Sequence, residues 1–148
     1  MKLKKILLPS DFSHCGDEAL AFATMLARDT KATLLIVHVE EPPAAYGGDY
    51  MYYGPPEPNR ELLRELLEKI VPADPIVPCE HHLLFGDPAH QLVEFANKQS
   101  VDLIVIGTHG RTGLFRALMG SVAESVVRHA TCPVISVKHP KHKVADEK

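Results

Sequence analysis

The sequence predicts an α/β fold: a doubly wound, five-stranded parallel sheet in the order 3-2-1-4-5, with helices on both faces. Short apolar runs alternate with longer segments whose apolar residues recur at helical spacing. The runs are almost continuously hydrophobic, which is typical of strands that are covered on both faces. Turn residues follow the runs, and right-handed crossovers between parallel strands then distribute the helices over both faces.

The first two strands and the helix between them are well marked. Residues 6–8 form a short apolar run that stops at Pro9, and residues 33–39 form a second run that is almost wholly apolar. The intervening helix has Ser13 as its predicted N-cap. Its predicted buried face comprises Ala19, Phe22, Ala23, Leu26 and Ala27. His38, near the end of the second strand, is predicted to be a packed histidine and not a ligand.

The middle of the chain supplies the second helix, the third strand and the third helix. A helix is predicted over residues 61–71, with Leu63, Leu66, Leu67 and Ile70 on one face. A strand over residues 76–84 contains Pro78, which indicates a sheet edge because proline cannot donate to the hydrogen-bond ladder. Asp87 as N-cap and Pro88 as first helical residue begin the third helix. The predicted buried face of that helix comprises Ala89, Leu92, Val93 and Ala96.

Residues 41–59 are predicted to be irregular. This segment holds all four tyrosines of the chain and five of its twelve prolines, a composition that suits neither a helix nor a central strand. Two interpretations stay open: a mobile excursion, or a flap that packs on a ligand or on a partner subunit. We expect residues 1–138 to form one domain and residues 139–148 to form a polar tail.

A glycine-rich, basic segment separates the fourth strand, residues 103–106, from the fourth helix, which opens at Gly120 and Ser121. The segment contains Gly107, Gly110, Arg111, Gly113 and Arg116. Free amides at a helix N-terminus bind anions, and arginine adds positive charge. The segment therefore either cradles a phosphate group or uses its glycines for turns while Ser121 and Glu124 form a capping box.

The predicted strand order reverses between strands 1 and 4. Ligands of doubly wound sheets bind at such a switch point, outside the carboxyl ends of the strands. This rule brings Asp11, which follows strand 1, into one crevice with Ile106 and Gly107 of strand 4. By position alone Asp11 either contacts a ligand or stabilises a local turn, since aspartate accepts backbone hydrogen bonds readily.

The spacing of Gly107, Gly110 and Gly120-Ser121 resembles the signature of the universal stress protein family. The resemblance extends to KKILLPSDFS at the start, to LLIVHVEEP in the second strand and to CPVISVK at the close. In that family the complete glycine pattern accompanies the ATP-binding branch. The resemblance implies that Asp11 lies against the nucleoside and that the backbone at Val39 reads the edge of adenine.

The sequence and the resemblance together predict a binding site for ATP. The nucleoside would contact Pro9, Ser10, Asp11, Val39 and Ile106. The phosphates would contact Gly107, Gly110, Arg111, Gly120, Ser121 and Val122. Mg²⁺ would be bound through the phosphates, since the sequence shows no carboxylate cage of its own. We predict no metal site built by protein ligands alone, because His81 and His82, as neighbours on a strand, point to opposite faces.

The function expected from these features is that of a small regulatory, stress-response protein for which ATP is a conformational signal. No catalytic residue is identified, and hydrolysis is expected to be slow at most, because no acidic residue lies within the glycine-rich segment to orient a water. A dimeric scaffold that does not bind nucleotide is the alternative. An ATP-consuming ligase is a weaker one, because the segment after strand 1 lacks a second glycine-rich loop.

Composition sets the remaining expectations. The net charge of −3 gives no global attraction to nucleic acid or to an acidic membrane. No apolar run approaches a membrane span, and the three cysteines form no C-x-x-C pair. We therefore expect a cytoplasmic protein with reduced, partly buried thiols. The fifth strand, residues 133–137, is short, apolar and uncharged, and we expect a homodimer joined along this edge, as is common in the resembled family.

Overall fold

The computed structural model describes residues 2–42, 59–108 and 119–139. These residues form five strands and four α-helices, with one short 3₁₀ turn before the first helix. The strands are β1 (Lys5–Pro9), β2 (Thr33–Glu40), β3 (Cys79–Phe85), β4 (Leu103–Gly107) and β5 (Val134–Val137). The helices are α1 (Asp17–Thr30), α2 (Arg60–Glu68), α3 (Pro88–Lys98) and α4 (Ser121–His129).

The sheet has the predicted topology. All four strand pairings are parallel, and the strand order is β3-β2-β1-β4-β5. The central strand β1 pairs with β2 from Lys5↔Thr33 onward and with β4 through Ile6↔Leu103. The sequence-based fold class is therefore confirmed, including the reversal of strand order between β1 and β4.

Two hydrophobic clusters lie on opposite faces of the sheet. Alternate residues of β1 enter different clusters: Ile6 and Leu8 pack with α1 and α2, whereas Leu7 packs with α3 and α4. Most residues of the three inner strands, β1, β2 and β4, are buried, which explains why their sequences are almost continuously apolar, whereas the edge strands β3 and β5 are only partly buried. Burying one such side chain contributes roughly 1.5–3 kcal/mol.

Several predicted details differ from the structure. The third strand begins at Cys79 and not at residue 76, and Pro78 stands just before it, where its carbonyl accepts a hydrogen bond from the Leu34 amide at 2.9 Å. The strand is nevertheless an edge of the sheet, as its proline indicated. Helix α2 ends at Glu68 and not at residue 71, and of the residues predicted to share its apolar face Leu67 is buried whereas Leu66 is 38% exposed.

The start of α1 also differs from the prediction. Residues His14–Gly16 form a 3₁₀ turn, and Gly16 is the N-cap of α1. Ser13 precedes the 3₁₀ turn and makes no side-chain capping bond. Its hydroxyl bonds Asp11 instead, because serine side chains compete readily for nearby polar groups. By contrast, Asp87 caps α3 as predicted, accepting from the His90 amide at 3.0 Å.

Candidate functional site

The carboxyl ends of β1 and β4 lie side by side at the predicted switch point. Both strands run in the same direction, so Pro9 and Gly107 end at the same edge of the sheet. Beyond Pro9 the next elements are the 3₁₀ turn and α1, and beyond Gly107 the carbonyl of Thr108 accepts a hydrogen bond from the Gly120 amide at the start of α4. The place just beyond these two strand ends is the candidate site, because ligands of doubly wound sheets bind at such a switch point.

The segment after β1, residues 10–13, is held by short-range hydrogen bonds. The Ser10 amide continues the ladder to the Val37 carbonyl at 2.8 Å. One oxygen of Asp11, Oδ1, accepts from the Ser13 amide at 2.9 Å and from the Ser13 hydroxyl. The Phe12 amide donates to Ser10 Oγ at 3.2 Å, and Phe12 has a left-handed φ of 65°. Asp11 therefore does stabilise a local turn, one of the two roles predicted for it.

The end of β2 supports that segment from the next strand. His38 is 3% exposed, which confirms the prediction that it is a packed histidine. Its Nδ1 lies 2.7 Å from the Ser10 carbonyl oxygen and its Nε2 lies 2.8 Å from Glu40 Oε2. Its ring also packs on Phe12, with 4.1 Å between centroids. Val39, next along the strand, is half-buried and pairs with Leu84 of β3.

The end of β4 is bonded directly to the start of α4. The Thr108 amide donates to the Val137 carbonyl at 3.0 Å, and the Thr108 carbonyl accepts from the Gly120 amide at 2.7 Å. These two bonds fix the first turn of α4 beside the tip of β4. The N–H of Gly120, a residue predicted to hold phosphate, is thus already bonded to the protein.

The first turn of α4 has no side-chain cap. Gly120 is the N-cap and Ser121 is the first helical residue, so the alternative in which Ser121 caps the helix is wrong. Within the described ranges, no side chain accepts from the amides of Ser121, Val122 or Ala123. Three amides therefore carry the positive end of the helix dipole without a protein partner in the described chain.

Thr108 is a feature that sequence reasoning missed. The residue is 4% exposed, and its Oγ1 is buried without a hydrogen-bond partner among the residues that the structure describes. A buried hydroxyl that is left unpaired costs about 1–3 kcal/mol. The only sequence signal was a hydroxyl residue placed directly after Gly107 in the glycine-rich segment.

Two predicted phosphate contacts, Gly110 and Arg111, lie outside the described residues. The same holds for Gly113 and Arg116 and for almost all of the tyrosine- and proline-rich segment 41–59. The remaining predicted residues lie at the carboxyl ends of β1 and β4 or at the start of α4: Pro9, Ser10, Asp11, Ile106, Gly107, Gly120, Ser121 and Val122. Val39 stands at the corresponding end of β2, one strand away.

His81 and His82 are hydrogen-bonded to other protein groups, and the three cysteines are partly buried. His81 Nε2 lies 2.7 Å from the Ile70 carbonyl oxygen, whereas His82 Nε2 lies 3.1 Å from Glu80. Across the described ranges, no group of three or more histidine, cysteine, aspartate or glutamate side chains could hold a metal ion. Cys15, Cys79 and Cys132 are free and half-buried, and burial raises the pKa of the Cys79 and Cys132 thiols.

The topology defines a doubly wound α/β protein, and the candidate site lies at the topological switch point of its sheet. Residues 2–138 match the sequence model of the universal stress protein family, and the chain belongs to that family. It is 38% identical to universal stress protein MJ0531 of Methanocaldococcus jannaschii over 93% of this chain and 84% of that protein.

Solved structures share the fold. The chain is similar to the universal stress protein UspA from Lactobacillus plantarum, with a TM-score of 0.72 and 24% identity over 93% of this chain and 99% of that one. It is also similar to the universal stress protein from Archaeoglobus fulgidus in complex with dAMP, with a TM-score of 0.64 and 27% identity over 93% of this chain and 100% of that one. No helix in the described parts of the chain is both long enough and apolar enough to cross a membrane.

Proposed function

We propose that this protein binds an adenine nucleotide, ATP carried with Mg²⁺, in the crevice between the tips of β1 and β4. The bound nucleotide acts as a conformational signal in a stress response, and its hydrolysis is slow at most. The observation that carries the proposal is the uncapped first turn of α4, which is bonded to the tip of β4 through Thr108 and Gly120.

The phosphates would be bound at that first turn. The amides of Ser121, Val122 and Ala123 lack partners in the described chain, and negative charge at a helix N-terminus is stabilising by roughly 0.3–2 kcal/mol. The hydroxyl of Thr108, which is buried and has no partner in the described part of the chain, would add a fourth donor. Gly107, Gly110 and Arg111 complete the proposed phosphate contacts, the last two from outside the described residues.

Gly120 contributes the space that a phosphate needs. Its φ of −58° and ψ of 154° are accessible to any residue, so the backbone conformation does not require glycine there. The missing side chain is then the property that matters, because a Cβ at the N-cap would stand beside the free amides. The Gly120 amide itself is bonded to Thr108 and would not contact the phosphates.

The nucleoside would lie at the other side of the crevice, against Pro9, Ser10, Asp11, Val39 and Ile106. Asp11 is held in one orientation by two bonds from Ser13, and a carboxylate in that position is suited to accept from ribose hydroxyls. The relative from Archaeoglobus fulgidus whose structure contains dAMP supports an adenine nucleotide as the ligand class.

Magnesium would be bound through the phosphates and not by a protein cage. The described residues contain no cluster of three candidate metal ligands, and Mg²⁺ commonly retains waters and binds through substrate phosphates.

The sheet edge at β5 is the proposed dimer contact. β5 (Val134–Val137) pairs with β4 and ends the strand order, so one side of it has no neighbour among the described strands. Its side chains carry no charge that would discourage pairing with another strand. We include a homodimer joined through residues 133–137 in the proposal, and sedimentation or light scattering of the purified protein measures it.

Calorimetric titration with ATP and Mg²⁺ tests the proposed function. Saturable heat with one nucleotide per chain is expected, together with single-turnover hydrolysis that is slow compared with metabolic ATPases. A dimeric scaffold without a nucleotide site predicts a dimer and no heat of binding. Rapid turnover would instead refute the role of ATP as a signal.

A further inference from the structure

His38 contacts the segment that carries Asp11 at two points. Its Nδ1 lies 2.7 Å from the carbonyl oxygen of Ser10, the residue before Asp11. Its ring packs on the ring of Phe12, the residue after Asp11, at 4.1 Å between centroids and 36° between planes. One side chain from β2 thus contacts both chain neighbours of the proposed ribose-binding aspartate.

The groups that face the two ring nitrogens of His38 determine which atom donates in each hydrogen bond. The Ser10 carbonyl has no hydrogen to donate, so His38 Nδ1 is the donor. On the other side, Nε2 lies 2.8 Å from a carboxylate oxygen of Glu40, and one proton must lie between these two atoms for a hydrogen bond to form. Glu40 therefore fixes the orientation of the ring, and the ring in turn holds the Ser10 carbonyl.

The held segment has a conformation that would not persist by itself. Phe12 has φ of 65°, the left-handed region that residues with a side chain rarely occupy. Such a conformation persists only where the surroundings determine it strongly. His38, at 3% exposure, supplies a rigid, buried surface for the Phe12 ring and a fixed donor for the preceding carbonyl.

We infer that His38, oriented by Glu40, is a positioning residue for the nucleotide site: it holds residues 10–13 so that Asp11 faces the nucleoside. The inference rests on the proposed function. It adds to the proposed site a residue of β2 whose side chain acts through residues 10–13, the segment that follows β1. Binding affinity therefore depends on a histidine that does not touch the ligand.

The test compares ATP·Mg²⁺ affinity in the full-length protein and in His38→Phe, which keeps a ring beside Phe12 and removes both hydrogen bonds. We expect binding to weaken about ten- to a hundredfold, by analogy with the loss of affinity when a partner that orients a metal ligand is removed. His38→Asn, whose amide can replace the Nδ1 donor, should recover part of the loss. In His38→Phe the Phe12 and Ser13 amides should also exchange faster with deuterated water.

His81→Phe is the matched control. His81 is also a strand histidine whose ring nitrogen lies 2.7 Å from a backbone carbonyl oxygen, but that carbonyl belongs to Ile70, at the β3 edge of the sheet. Affinity in this variant should stay within about twofold of the unaltered protein, because distant sites act independently. Circular dichroism establishes that each variant is folded at the temperature of the titration.

The outcomes separate this inference from the proposed function. Absence of ATP binding by the unaltered protein overturns the proposed function and the inference with it. Two outcomes overturn the inference and leave the proposed function intact. In the first, the unaltered protein and His38→Phe bind ATP with equal affinity. In the second, His81→Phe loses as much ATP affinity as His38→Phe does. If His38→Phe does not fold, Glu40→Ala decides, because it frees the ring while retaining the histidine; unchanged affinity in that variant overturns the inference.

Discussion

The buried hydroxyl of Thr108 gives a prediction in which stability and binding change in opposite directions. Valine has nearly the shape of threonine but lacks the hydroxyl, and both backbone bonds of residue 108, to Val137 and to Gly120, are independent of the side chain. Within residues 2–42, 59–108 and 119–139 the buried Oγ1 atom has no partner, a state that costs about 1–3 kcal/mol. Thr108→Val should therefore raise the free energy of unfolding of the nucleotide-free protein by an amount in that range.

The same substitution should weaken nucleotide binding. A hydrogen bond to a charged group contributes about 1.5–3 kcal/mol, so losing one to a phosphate corresponds to roughly a ten- to 150-fold weaker affinity. Urea unfolding without ligand measures the first effect, and titration calorimetry with ATP and Mg²⁺ measures the second. A variant that is less stable than the original, with unchanged ATP affinity, would show that the hydroxyl serves the protein interior and would refute the reasoning.

Three further predictions follow from other parts of the structure. Gly120→Val should change the free energy of unfolding by no more than about 1 kcal/mol relative to the unaltered protein, because φ of −58° suits valine. The same variant should show no ATP binding when it is measured by calorimetry. Retained binding would contradict the placement of the phosphates. Asp87→Ala should cost about 0.5–2 kcal/mol in urea unfolding through loss of the α3 cap, with ATP affinity unchanged as its control. Burial raises the pKa of Cys79 and Cys132 above the usual 9.0, so these thiols ionise more readily in the unfolded chain. The free energy of unfolding should therefore fall as pH rises past about 9. Iodoacetamide should modify both thiols more slowly in the native than in the urea-unfolded protein, and equal rates would contradict the effect of burial.

The topology was predictable because it depends on patterns that a single sequence carries. Strands buried on both faces require apolar runs that are almost unbroken, and the run over residues 33–39 has the length and composition of such a strand. Pro78 likewise indicated an edge, since a proline is excluded from a central ladder, even though the strand begins one residue later.

The differences arise where several local interactions compete. Ser13 and Ser121 both resembled N-caps in sequence, yet Ser13 bonds Asp11 and Ser121 is already inside α4. The choice depends on which neighbour the folded chain brings within reach, and a sequence pattern does not contain that information. In helix α2, Leu66 belongs to the predicted apolar face but is exposed, because its burial depends on how the helix is placed over the sheet.

The supporting residues of the candidate site could not be predicted because their contacts are long-range. His38 and Ser10 are 28 residues apart in the chain and meet only through the pairing of β1 with β2. The burial of the Thr108 hydroxyl likewise requires the bonds that join β4, β5 and α4. The glycine spacing indicated where phosphate would bind, whereas only the structure shows which amides at that place lack a partner.

The central claim is that the amides at the start of α4, which have no partner among the described residues, bind the phosphates of a nucleotide. Amide chemical shifts of Ser121, Val122 and Ala123 in ¹H–¹⁵N spectra test it directly, during titration with ATP and Mg²⁺ and, separately, with adenosine. We expect large shifts of these three signals with ATP and small ones with adenosine, which has no phosphate. Signals that stay in place while ATP saturates the protein would contradict the claim, because the phosphates would then be bound elsewhere.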